Sequence, residues 1–250
     1  RLSWLTTHVT FRPPVDNIRG RPSMTVRPPA VAGRFYPADP QALREMIAEF
    51  LGAAPASVDE PRPQAVIVPH AGYPYSGPIA AAAYQRIAGG RDSIRHVLLI
   101  GPAHRVAFKG LAVPGVEAFA TPLGEIPLAT AIRDELRQQY APIPYEIGSV
   151  PSSSVAAVVD RFLGRPEWLV VISSDLSHYH DAETANQLDR ETTELIERGA
   201  DRELTSHRAC GYLGISGLLQ VLRPRHLHVR AVDLRHSGDT AGPRDAVVGY

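Results

Sequence analysis

Three short apolar runs, each ending in a loop that carries a histidine, constrain this chain more than any other feature. Val66-Ile67-Val68 runs into Pro69-His70-Ala71-Gly72-Tyr73. Residues 97–100 run into Gly101-Pro102-Ala103-His104, and residues 169–172 into Ser173-Ser174-Asp175-Leu176-Ser177-His178. Short β-branched runs bounded by Gly, Pro and Ser read as buried strands. In an open α/β sheet, ligands bind just outside the carboxyl ends of the strands. Three histidines delivered at equivalent strand ends therefore predict a single pocket.

The intervening stretches read as helices. Asp39 is an N-cap with Pro40 at the first helical position, and Leu43, Met46, Ile47 and Phe50 form one face of a helix over 40–51. Further helices are predicted from Ser76 to about residue 87 and over 127–140, 151–163 (capped near Ser152), 181–198 and 213–222. Residues 111–113, 227–234 and 246–250 read as additional strands, and 121–124 as a turn. Strands alternating with helices predict an α/β fold: a mostly parallel central sheet with helices on both faces. One domain is expected over 24–250. Residues 1–23, rich in Arg and Pro and without sustained periodicity, are expected to be an N-terminal extension with no secretory signal.

Composition removes some function classes. With 26 basic and 26 acidic side chains the chain has no basic excess, which speaks against nucleic-acid binding. No apolar run approaches the ~20 residues of a membrane span, so no membrane role is expected. A single cysteine, Cys210, rules out an intramolecular disulfide and suits a reducing, cytoplasmic setting.

Each candidate residue has a bland reading. His70 and His104 fit turn histidines bonded to backbone as well as metal ligands. Asp175 either orients His178 or caps its loop, and His180 fits a solvent-facing bystander. Free cysteine is commonly a small buried hydrophobe, but Cys210 lies between Ser206-His207-Arg208 and Gly211, just before a helix. That setting predicts a lowered pKa and a thiolate. His207, His226, His228 and His236 lack a strand-end context and read as surface or structural. Two imidazoles and one anionic ligand suit non-haem iron, and His with Cys also suits zinc or copper.

Taken together, Pro69-His70-Ala71-Gly72-Tyr73, Gly101-Pro102-Ala103-His104, Ser173 through Tyr179 and Ala209-Cys210-Gly211 resemble the Memo family. The lead-in Ala32-Gly33-Arg34-Phe35-Tyr36-Pro37 and the ending Val247-Val248-Gly249-Tyr250 fit it as well. Bacterial and archaeal members are also called AmmeMemoRadiSam system protein B. The resemblance implies a fold similar to class III extradiol dioxygenases. It also implies a divalent transition metal, iron first with copper or zinc as alternatives, held by His70, His104 and Cys210. His178, with Asp175, falls where those dioxygenases hold an acid–base histidine. A small-molecule or peptide ligand is implied, with AMMECR1-like and radical SAM proteins as partners. One departure stands out: the family's His-Ser-hydrophobic-Glu segment is missing between Tyr140 and Ser152.

Three functions compete on this sequence. The first is a metal-dependent oxidoreductase with His178 moving a proton. The second is a non-catalytic accessory protein holding a metal or peptide. The third is a nucleophilic enzyme with Cys210 attacking and His178 as base, for which no oxyanion motif is present.

Overall fold

In the computed structural model, residues 24–55, 61–105, 108–139 and 150–250 are described. The strand over Trp168–Ser173 (β6) lies at the centre of a three-stranded parallel sheet, between Ala65–Val68 (β2) and His96–Ile100 (β3). Five of its six residues are buried, as a nearly continuous apolar run requires in a sheet covered on both faces. Register brings the strand ends level: Val68 lies opposite Ser173, and Ile100 opposite Ile172. The three histidine-bearing loops therefore leave the sheet at one edge.

One face of this sheet presents Ile67, Leu98, Val170 and Ile172 to two helices, Ser152–Phe162 (α4) and Tyr212–Leu222 (α6). These helices approach closely because Gly217 has no side chain; a Cβ there would stand 2.7 Å from Val155 Cβ. The other face presents Val66, Val68, Leu169 and Val171 to the alanine-rich helix Tyr73–Gln85 (α2). Helix Pro40–Ala53 (α1) packs on α2 and is capped by Asp39, whose carboxylate accepts from Ala42 N–H at 2.8 Å. Helix Ala182–Glu197 (α5) is capped the same way by Asp181.

Smaller elements surround this core. Val26–Arg27 (β1) pairs parallel with Ala118–Thr121 (β4), which forms a hairpin with Gly124–Pro127 (β5) through the turn expected at 121–124. Helix Thr130–Gln139 (α3) follows. His178–His180 (β7) pairs antiparallel with Val247–Val248 (β8).

Several boundaries differ from the sequence reading. Helix α2 starts at Tyr73, because Pro74 suits its first turn and Gly72 precedes it; Ser76 lies inside, bonded to the Ala71 carbonyl. Residues 111–113 form no strand; they are hemmed by Gly110, at φ +103°, and Pro114. Residues 227–234 form none either. Their apolar alternation changes phase between Ala231 and Val232, which would turn one half of a strand away from the core. Ala231 N–H instead donates to Glu197 Oε1 at 2.7 Å. The strand expected over 246–250 is real but shorter, and joins β7 rather than the parallel sheet. The extension over 1–23 lies outside the described residues.

Candidate metal centre

His70 leaves β2 two residues past its last residue, and its main chain is fixed at once: His70 N–H donates to Asp175 Oδ1 at 2.7 Å. Its ring is oriented by Ser173 at the end of β6, with Nδ1 2.8 Å from Ser173 Oγ. With Nδ1 so occupied, Nε2 points outward. It meets His104 Nε2, from the loop after β3, at 3.1 Å. It also meets Cys210 Sγ at 3.5 Å. The three donor atoms all lie within 4.8 Å of one another.

The His70–His104 and His70–Cys210 separations fit a metal. An ion ~2.0–2.1 Å from imidazole nitrogen and ~2.3 Å from sulfur, at tetrahedral angles, places N···N near 3.3 Å and N···S near 3.5 Å. His104 is exposed while His70 and Cys210 are half-buried, so the cluster opens to solvent on one side.

Cys210 reaches the cluster because Gly211 lets its loop lie on the end of β6: a Cβ at Gly211 would stand 2.7 Å from the Ser173 carbonyl oxygen. Cys210 N–H donates to the Asp175 carbonyl at 3.2 Å, and Asp175 N–H donates to Cys210 Sγ at 3.2 Å. Asp175 thus ties the His70 and Cys210 loops together. Its carboxylate is not bonded to His178, whose Nδ1 lies 2.8 Å from the Leu176 carbonyl. Sequence reasoning missed Ser173 as the orienting group, although its place directly beyond the strand was a usable signal.

Electrostatics corrects one expectation. The Cys210 thiol is pushed up, not down: burial is the largest cause, and the nearby Asp175 carboxylate adds to it against backbone hydrogen bonds. The amino end of α6 does not overcome desolvation. The His70 ring is held below its usual range, again chiefly by burial, with Asp175 opposing and the charges of His104 and His178 assisting. A histidine depressed in this way contributes stability that is present above its unfolded value near pH 6.5. That stability is lost as pH falls through the lower folded-state pKa.

At pH 7, then, a bound metal displaces a proton from Cys210 but not from His70. Calorimetry in buffers of differing ionisation enthalpy is expected to show release of about one proton per metal. Cys210→Ser is expected to abolish most of that buffer dependence. Unchanged proton release in Cys210→Ser would place the proton elsewhere.

A family model described as Memo-like protein matches residues 27–148 and 142–250. The chain is 31% identical to a MEMO1 family protein of Aquifex aeolicus, over 91% of this chain and 98% of the relative. It is 32% identical to one of Sulfolobus acidocaldarius (90% and 97%) and 31% identical to one of Thermotoga maritima (90% and 97%). The Aquifex alignment runs over 267 positions, more than the 250 residues of this chain, so that relative carries residues that are lacking here. The two matched pieces overlap at 142–148.

Proposed function

The chain belongs to the Memo-like family, and on that premise we propose that it is a metal-dependent oxidoreductase acting on a small ligand at the His70–His104–Cys210 centre. The observation that carries the reading is the clustering of three donors of the right chemistry at one sheet edge, on its solvent-open side. A divalent transition metal bound there would supply a Lewis-acidic position with coordination sites left for a ligand. Iron is the metal this reading expects, with copper and zinc as the alternatives.

The protein's own groups have separable tasks. Ser173 Oγ holds the His70 ring through Nδ1, leaving Nε2 as the donor. Asp175 joins the His70 and Cys210 loops, so two of the three donors share one brace. His178 donates from Nδ1 to the Leu176 carbonyl, which leaves the Nε2 lone pair free to take up a proton and return it. Its charge contributes to lowering His70, which supports a place for it within electrostatic range of the donors.

A second reading, a non-catalytic protein that stores or hands on a metal, is favoured by the thiol. Sulfur in place of a carboxylate softens the site toward zinc or copper. Metal analysis of protein purified without a chelating tag, followed by oxygen uptake with catechols, separates the two. The oxidoreductase reading expects stoichiometric metal and an uptake that His178→Ala abolishes while metal stays bound. Stoichiometric metal without oxygen uptake on any catechol tested would select the second reading.

A further inference from the structure

We propose that Asp189 on α5, which touches none of the metal donors, is the positioning residue that orients His178, and that it does so by clamping the backbone of Ser177 against Gly249. The proposal rests on the reading of His178 as the proton-handling group.

The segment that carries His178 needs an external anchor. Tyr179, the next residue, has φ +62°, a left-handed conformation uncommon outside glycine. Its side chain is 78% exposed, so burial of that ring does not hold the strained backbone. The pairing of β7 with β8 is itself irregular between His178 and His180. The anchor lies one residue upstream. Ser177 is fully buried, its N–H donates to Asp189 Oδ1 at 2.9 Å, and its carbonyl accepts from Gly249 N–H at 2.9 Å. Leu176 N–H donates to the Gly249 carbonyl at 2.8 Å, and the Leu176 carbonyl is the group that accepts from His178 Nδ1. The orientation of the His178 ring therefore passes through residues 176–177 to Asp189 and Gly249.

Asp189 is built into this position. Only 3% of it is exposed. Burial pushes its carboxyl above the ordinary range, opposed by the Ser177 hydrogen bonds and by the charges of His236 and His178. Burying a carboxylate is costly unless its hydrogen bonds are supplied. Gly249 is fitted to it as closely: a Cβ there would stand 1.9 Å from Asp189 Oδ2, so the main chain just past β8 lies directly on the carboxylate.

The test is the tautomeric state of His178, read from its imidazole 15N shifts in metal-free protein, with zinc titration alongside. In Asp189→Asn, which keeps an oxygen acceptor for Ser177 N–H, His178 is expected to retain the single Nδ1–H form of the wild type. In Asp189→Ala its two nitrogens are expected to move toward averaged shifts. Zinc affinity is expected to fall by less than the ~10-fold that marks the loss of a partner bonded directly to a ligand. Wild-type His178 shifts in Asp189→Ala would overturn the proposal, as would equal averaging in Asp189→Asn and Asp189→Ala. If Asp189→Ala does not fold, Gly249→Ala displaces the same carboxylate and is expected to give the averaged shifts; wild-type shifts there would overturn the proposal equally. Wild-type zinc affinity is measured independently of the His178 signal. A failed metal centre and a failed clamp are therefore told apart.

Discussion

Cys210→Ser and His70→Ala are each expected to lose metal affinity on the order of a hundredfold or more. Binding free energies of about 10–16 kcal/mol spread over a handful of protein ligands leave ~3 kcal/mol for each, which is the basis of that figure. His70→Ala removes the central donor, since its Nε2 faces both His104 and Cys210. Cys210→Ser keeps the shape and replaces a soft donor with a hydroxyl that does not ionise near neutral pH. Loss of Ser173 removes no donor and is expected to cost only the ~10–100-fold typical of a group that orients a ligand. Isothermal titration with zinc orders the three variants. Wild-type affinity in Cys210→Ser would take the cysteine out of the site and leave it a buried structural thiol.

Ile172→Ala is expected to destabilise the fold by about 2–5 kcal/mol, the range for emptying a buried aliphatic position. Ile172 lies in the central strand with no exposed surface, and it faces the layer formed by α4 and α6. Both neighbouring strands flank β6, so the surroundings are held on two sides and can collapse little into the void. Denaturant unfolding measures the loss. Leu99→Ala is the internal control: its side chain is 65% exposed on β3, and the change is expected to stay within about 0.5 kcal/mol. A loss at Ile172 no larger than at Leu99 would mean that the α4–α6 layer repacks freely.

Much of the fold was legible because its signals are local. The β6 boundaries and helices α4 to α6 follow from apolar runs and helical spacing within a dozen residues, and the cap at Asp39 from its own side chain; Ser152, expected near a cap, lies inside α4, which has no side-chain cap. The failures came where local pattern was ambiguous or outweighed. The alternation at 227–234 changes phase midway, and the β4–β5 hairpin was seen only as its turn, since its strands are four residues each.

The sequence by itself determined which residues would gather. His70 and His104 each follow a short strand, and a parallel sheet has one carboxyl edge. What only the tertiary structure decided is how those residues are set. Register makes the loops level, Gly211 brings Cys210 onto the end of β6, and Ser173 turns the His70 ring. The thiol's direction of shift was misread for the same reason. A helix start is visible in sequence, but desolvation depends on chain segments far away that pack around the sulfur. Asp189 reads in sequence as one more polar residue of a helix. It becomes a buried clamp only because Ser177, 12 positions before it, and Gly249, near the other end of the chain, close over its carboxylate.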